Sequence, residues 1–396
     1  METVPQTELI SRVATFQAML GESGVALALL RQPADLFYYT GTIVEGFLAV
    51  SAAGPVRLLV RRPKDRLAVG QTPWPVLFYR SLPELPGLLA DLDRQGAALG
   101  LELDVMPAAL YLHLQAKLFP RARITDVAPL IRRQRMRKSP FELTQIRAAA
   151  AMLDQVHAEV PELLVPGRSE LELSALLEYR LRSLGHQGLV RFRRWDLEVF
   201  YGHVLSGTSS LAAAYTDTPS GGLGFSPAFP QGPSHKALAA NEPISVDLAA
   251  CVGGYIADMT RLYAIGGLPM EAWRVFAVVE ELYHLFATET RAGVLPGDLY
   301  QKLWDVVQKR GLADCFMGAG NDRVTFLAHG VGLELDELPL LTARSPYALE
   351  ADMVLAFEPK FFLPGIGMVG QEDTCRITAA GVEWLTLSPR QVTVVS

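Results

Sequence analysis

The sequence predicts two domains in succession, an α/β domain over residues 1–137 and an α+β domain over residues 138–396. Three observations carry this reading. The first third alternates short β-rich runs with helically spaced apolar residues, the pattern of a layered α/β unit. Two long helical segments follow it. The remainder is dominated by β-rich runs, two of them paired across glycine-containing turns. A chain of 396 residues is ample for two hydrophobic cores.

In the N-terminal part, Val25 to Leu30, Gly46 to Ser51, Val56 to Val60 and Val76 to Tyr79 read as strands. Thr7 to Leu20, Leu82 to Arg94 and Pro107 to Phe119 carry helical spacing. The domain is expected to end near the basic run 131–138, read as a solvated helix end or linker. At Lys138-Ser139-Pro140 the proline bars helix continuation from upstream and can open a new helix. Phe141 to Pro161 then reads as a long helix and Ser169 to Leu184 as another, with Ser169 and Glu172 spaced as a capping box. Ser206 to Pro243 is rich in Gly, Pro, Ser and Ala without apolar periodicity, and a loop of that length is usually functional. Beyond it come a strand pair over 244–263, helices over Pro269 to Arg291 and Gly297 to Arg310, and mostly strands to the end.

A formal charge of −6 argues against a nucleic-acid footprint. No apolar run approaches the roughly 18 residues of a membrane span, and the first residues carry no export signal, so a cytoplasmic protein is expected. Cys251, Cys315 and Cys375 are far apart and odd in number, which fits buried thiols better than a disulfide framework.

The residues that bear chemistry lie in the second half. Asp247, Asp258, His329, Glu358 and Glu372 make an oxygen-rich ligand set suited to a pair of divalent ions that activate water. Gly253-Gly254 is a two-residue hairpin signal, which pairs Val252 with Tyr255 and Asp247 with Thr260. Asp258 then lies diagonally across from Asp247 on the same face. A three-residue loop, Pro364-Gly365-Ile366, would likewise set Glu358 directly opposite Glu372. Both Asp247 and Glu358 sit among apolar neighbours, and buried carboxylates need partners. Signatures of serine hydrolases, P-loop enzymes and zincins are absent from the sequence.

In order and context, Asp247, Asp258-Met-Thr-Arg261, His329-Gly-Val-Gly-Leu333, Phe357-Glu-Pro359 and Glu372-Asp-Thr374 resemble the pita-bread metallopeptidases. That family includes Xaa-Pro aminopeptidase, prolidase, methionine aminopeptidase and the non-peptidase creatinase. Ala34-Asp-Leu-Phe-Tyr-Tyr-Thr-Gly41 is similar to the family's N-terminal domain motif, and Met136-Arg-Lys-Ser-Pro-Phe-Glu142 to its interdomain junction. The resemblance thus implies a creatinase-like N-terminal domain and a C-terminal pita-bread domain. It also implies two divalent ions, manganese first with cobalt or zinc as alternatives, and a homodimer. Glu358 would be both a metal ligand and the catalytic proton shuttle. The expected activity is cleavage of Xaa-Pro bonds in peptides or dipeptides.

The departures fall on substrate handling. Ala214 and Asp336 stand where proline-directed relatives carry histidines, and Gly370 where an arginine is frequent. Alanine cannot donate a hydrogen bond and an ionised aspartate only accepts. His203, Asp336 and Tyr215 are the expected substrate contacts, with His235 a further candidate. The alternatives are a creatinase-type hydrolase of a non-peptide amide or amidine, and a binding relative that holds no metal.

Overall fold

The structure is a computed structural model that describes residues 3–64, 72–92, 97–194, 201–320 and 322–396. Contacts divide the chain into two compact units, Met1–Arg135 with Arg193–Trp195, and Met136–Phe192 with Asp196–Ser396. In the order of the chain, the first unit comprises α1 (Gln6–Glu22), β1 (Val25–Leu30), α2 (Pro33–Thr40), β2 (Glu45–Ser51), β3 (Val56–Arg62) and β4 (Val76–Phe78). After these come α3 (Leu85–Leu88), β5 (Ala98–Leu101), α4 (Ala108–His113), β6 (Arg123–Asp126) and α5 (Ala128–Arg135). Its six strands form one mixed sheet in the order β4-β3-β2-β1-β5-β6.

Several expectations for this unit change. The helix expected over Leu82 to Arg94 is a 3-10 turn followed by the single turn of α3, because Pro83, Pro86 and Gly87 interrupt it; Asp93 and Arg94 lie outside the described residues. The helix from Pro107 continues past α4 as a π turn over Leu114–Leu118. The sequence reading passed over α2, β5 and β6, which are eight, four and four residues long. The basic run is not solvated throughout. Arg135 is buried in an ion pair with Asp35 at 2.6 Å, and Asp35 also meets Arg193 at 2.8 Å. Burial pushes the Asp35 carboxyl up, but Arg193 and then Arg135 outweigh it and hold it below the ordinary carboxylate range.

The second unit begins with α6 (Pro140–Leu163) and α7 (Glu170–Ser183). Both helices open on capping boxes. Ser139 Oγ accepts from the Glu142 amide while the Glu142 carboxylate accepts from the Ser139 amide, and Ser169 and Glu172 repeat the exchange. Leu143, Ile146, Ala150, Leu153, Val156 and Val160 form the buried stripe of α6. Lys138, at the head of the unit, is buried against Glu337 at 3.1 Å, a second basic residue with an internal partner.

The strands that follow are β7 (Gly202–Ser206), β8 (Ile244–Val252) and β9 (Tyr255–Ile265). Helices α8 (Met270–Glu289) and α9 (Pro296–Lys309) separate them from a further series. That series is β10 (Gly318–Ala319), β11 (Asp322–Arg323), β12 (Phe326–Gly330), β13 (Glu337–Thr342), β14 (Val354–Phe357), β15 (Lys360–Leu363), β16 (Gly367–Gly370), β17 (Glu372–Ile377), β18 (Val382–Trp384) and β19 (Thr393–Val395). The main sheet runs β13-β12-β14-β17-β9-β8-β7, with β18 on β17 and β19 on β9. Buried apolar residues of α8 and α9 pack with Leu355, Phe357 and Cys375 of the sheet into one core. Cys251 and Cys375 are buried thiols and Cys315 is half-buried. Among the described residues no helix is long and apolar enough to cross a membrane.

Two hairpins set the face that matters. Strands β8 and β9 pair with Val252 opposite Tyr255 and Asp247 opposite Thr260, through a turn at Gly253-Gly254 whose φ angles are 57° and 91°. Asp247, Ala249, Asp258 and Thr260 therefore share one face of the sheet. The other face carries Arg261 and Tyr263 toward α6, where the Tyr263 hydroxyl lies 3.0 Å from His157 Nδ1.

The second hairpin turns through Pro364-Gly365-Ile366, with Leu363 opposite Gly367. Phe357 faces Asp373 in the main sheet and Lys360 faces Gly370 in the separate β15–β16 ribbon. Glu358 and Glu372 stand at the same level between the two. Pro359, which lacks an amide hydrogen, sits where the strand leaves the main sheet.

Candidate metal centre

Strand order brings the five predicted ligands together. Strand β9 supplies Asp258, and β17 lies beside it with Glu372 opposite Thr260. Strand β14 delivers Glu358 just past its end, and β12, next to β14, delivers His329 opposite Ala356. Asp247 enters from β8. All five side chains are buried.

Neighbouring residues explain the motifs around them. Thr374 Oγ1 accepts from the Asp258 amide and donates to the Asp258 carbonyl, both at 2.8 Å, which locks β17 to β9. Arg261 donates to the Glu372 carbonyl at 2.8 Å and pairs with Asp373 at 2.6 Å. Asp373 also accepts from Thr386 Oγ1 at 2.6 Å and Arg390 Nε at 2.8 Å. The Tyr283 hydroxyl donates to the Phe357 carbonyl at 3.1 Å and steadies the strand that delivers Glu358. Asp-Met-Thr-Arg and Glu-Asp-Thr are therefore as much a clamp between strands as a ligand signature.

His329 Nε2 faces Asp258 Oδ2 at 3.9 Å, Glu358 Oε1 at 3.7 Å and Glu372 Oε1 at 3.5 Å. Its other nitrogen, Nδ1, lies 3.5 Å from Asp336 Oδ1 and 3.2 Å from the Gly330 carbonyl. That is how a metal-binding histidine is usually oriented, with its second nitrogen turned to an oxygen acceptor. Glu372 Oε1 is buried with no hydrogen-bond partner among the described residues. An orphaned carboxylate oxygen facing an imidazole across 3.5 Å is too far apart for a good hydrogen bond and well placed to share a cation. Ligand atoms of Asp258, His329 and Glu372 all lie within 4.8 Å of one another. On this side of the cluster the residues fit a divalent ion, with Glu358 Oε1 as a further donor.

The opposite side is already filled. Lys360 Nζ donates to Asp247 Oδ2 at 3.0 Å, Glu358 Oε2 at 2.8 Å and Glu372 Oε2 at 2.8 Å, and the residue is 1% exposed. Glu372 Oε2 takes a second donor from Thr260 Oγ1 at 2.9 Å. The expectation of two bound ions thus meets a set of residues that leaves room for one. Sequence reasoning passed over Lys360. The signal was present, because a lone cation inside Phe-Glu-Pro-Lys-Phe-Phe-Leu must be buried with an anion, and Glu358 lies two residues before it.

Electrostatics divide the cluster in the same way. Burial pushes Lys360 down, but Asp247, Glu358 and Glu372 outweigh it and hold the ammonium well above its ordinary value. Burial would also raise Glu372, yet Lys360 and His329 pull it down to about 2. Asp258, away from the lysine, is raised well above the carboxylate range by burial and then by Glu372 and Asp247. Burial pushes Glu358 up to about 8 against the pull of Lys360. Without a divalent ion, the side of the cluster far from Lys360 holds protons where a cation would sit.

A cleft of about 710 Å³ opens over the cluster, lined by Phe192, His203, Thr216, Gln231, Phe326 and Asp336 among others. Gln231 Nε2 lies 3.1 Å from His203 Nε2, and Thr216 Oγ1 donates to Gln231 Oε1 at 3.0 Å. Burial and then Lys360 push His203 down to about 4, which keeps the ring neutral. Of the residues expected to touch substrate, His203 and Asp336 line the cleft. Tyr215 is 53% exposed and outside the lining, whereas its neighbours Thr216 and Asp217 belong to it. His235 is exposed and packs its ring near Phe225. The long loop over 206–243 thus contributes Thr216, Asp217, Thr218, Pro219 and Gln231.

Comparison with known proteins agrees with this layout. Residues 144–379 match the family model of metallopeptidase family M24, and residues 12–137 match that of the creatinase/prolidase N-terminal domain. "Probable dipeptidase PepE" of Mycobacterium bovis is 27% identical over 97% of this chain and 96% of its own. The Xaa-Pro dipeptidase of Pyrococcus furiosus is 22% identical over 96% of this chain and 99% of its own. Among solved structures, Xaa-Pro dipeptidase from Bacillus anthracis superposes with a TM-score of 0.83 at 23% identity, covering 98% of this chain and 100% of the other. The architecture is a creatinase-type N-terminal domain followed by a pita-bread domain.

Proposed function

The chain belongs to metallopeptidase family M24, and from that premise we propose that it hydrolyses the Xaa-Pro bond of short peptides. The observation that carries this is the convergence of Asp258, His329, Glu358 and Glu372 on the floor of the cleft, with Glu372 Oε1 unpartnered. A divalent ion held by these four residues would polarise the scissile carbonyl and lower the pKa of water. The oxygen-rich donor set with a single imidazole favours manganese over a softer metal.

The chain's own residues would do the rest. Glu358 accepts from Lys360 through Oε2 and turns Oε1 toward His329, which leaves Oε1 to carry a proton from the attacking water to the leaving amine. His203, held by Gln231, and Asp336 offer polar contacts along the cleft wall. Among the described lining residues Lys360 is the one Lys or Arg, and its three donors are spent on carboxylates. A substrate's free carboxylate thus meets no arginine or second lysine in the lining, whereas the acidic residues suit a cationic α-amino group. This favours an aminopeptidase acting on longer chains over a dipeptidase. The expected homodimer and cytoplasmic setting belong to the same proposal.

A second reading is a creatinase-type hydrolase of a cationic small amide or amidine. It is supported by Ala214 and Asp336 standing where histidines are expected, and by the acidic cleft. A panel of Xaa-Pro dipeptides, Xaa-Pro tripeptides and small amides, run on manganese-loaded protein with Asp258→Asn as control, tests both. Tripeptides should be cut fastest. Cleavage of small amides alone would favour the second reading, and a wholly uncut panel would refute the first.

A further inference from the structure

Lysine is almost never fully buried without anionic partners, and Lys360 has three. They use every N–H of its ammonium. The oxygens it binds, from Asp247, Glu358 and Glu372, surround a single point occupied by Nζ. A divalent ion held by the same three oxygens would need that point for itself, so ion and ammonium exclude one another there.

The backbone is shaped to admit this side chain. Lys360 pairs with Gly370 across the β15–β16 ribbon. A Cβ on residue 370 would lie 2.7 Å from Lys360 Cα and 2.8 Å from its Cγ, closer than real carbon atoms approach. Glycine at 370 is thus a condition for the path that the lysine takes, and the two positions are matched to each other. The other side of the cluster has no such occupant. There Glu372 Oε1 is left unpartnered opposite His329.

We propose that Lys360 replaces one of two metal ions, so that the centre binds a single divalent ion among Asp258, His329, Glu358 and Glu372 beside a built-in ammonium. This rests on the metal-centre reading above. Lys360 is a positioning residue in this scheme. It pins Oε2 of Glu358 and of Glu372, which leaves Oε1 of each for the ion.

The test is metal content and electron paramagnetic resonance of the full chain reconstituted with manganese and desalted. Wild-type protein should retain one manganese per chain with the six-line signal of an isolated ion. Lys360→Ala should double the content to two and bring exchange coupling. Two coupled ions in the wild type would overturn the proposal and leave the metal centre standing. A Lys360→Ala protein that folds but stays at one ion would also overturn it. No retained manganese in the wild type would remove the metal-centre reading and the proposal together. If Lys360→Ala does not fold, the wild-type stoichiometry and signal decide.

Discussion

The two halves of the carboxylate cluster share Glu358 and Glu372 yet are finished differently. On the Lys360 side one ammonium binds an oxygen of each of three carboxylates at 2.8–3.0 Å. On the His329 side the closest approach is 3.5 Å, and a buried carboxylate oxygen has no partner. A buried anion is tolerated only when something cationic or hydrogen-bonding meets it. The first half supplies its own cation; the second is built to receive one. A ligand motif therefore does not by itself count ions, because the residue that changes the count lies beside the motif.

The largest effect should come from the open half. Asp258→Asn removes a ligand and should lower activity on the best substrate by more than the roughly 10–100-fold typical of outer-shell partners, with loss of bound metal in the same preparation. Steady-state kinetics and elemental analysis check both. Next, Lys360→Met leaves three buried carboxylates facing an apolar tip. Without metal it should cost about 3–5 kcal/mol in denaturant unfolding, the range for breaking a buried ion pair. Added manganese should recover part of that loss if the vacated half can accept an ion.

Asp336→Asn tests the orientation of His329 through Nδ1 and should weaken manganese affinity by roughly 10–100-fold with little change in melting temperature of the metal-free protein. Calorimetric titration reads it, and unchanged affinity would break the link between Asp336 and the open half.

The smallest effect lies on the far face of the sheet. Burial and then Arg261 push His157 down to about 3, so it is neutral in the fold. An unfolded histidine titrates near 6.5 and takes up a proton first. The stability this preserves above about pH 6.5 is therefore lost as pH falls toward about 3, at up to ~1.4 kcal/mol per pH unit. His157→Gln should flatten that part of the stability profile and leave metal content alone. A change in metal content would mean that the two faces are coupled.

Much of this was legible in the sequence where local rules act alone. Gly253-Gly254 set the register of Asp247 and Asp258, and the odd loop at Pro364-Gly365-Ile366 put Glu358 level with Glu372. Ser139 and Ser169 marked helix starts through their glutamates. What was not legible depended on tertiary partners. Arg135 and Lys138 read as solvated charges until Asp35 and Glu337, distant in sequence, met them. Short strands such as Ala98–Leu101 carry too few residues for a period to show. Lys360 was hidden by its neighbour, since attention to Phe357-Glu-Pro359 stopped one residue early.

Anomalous-difference density from crystals soaked in manganese tests the unlike halves most directly. One peak is predicted, among Asp258, His329, Glu358 and Glu372, with the Lys360 ammonium still on its three carboxylates. A peak among Asp247, Glu358 and Glu372, with Lys360 displaced, would contradict the account.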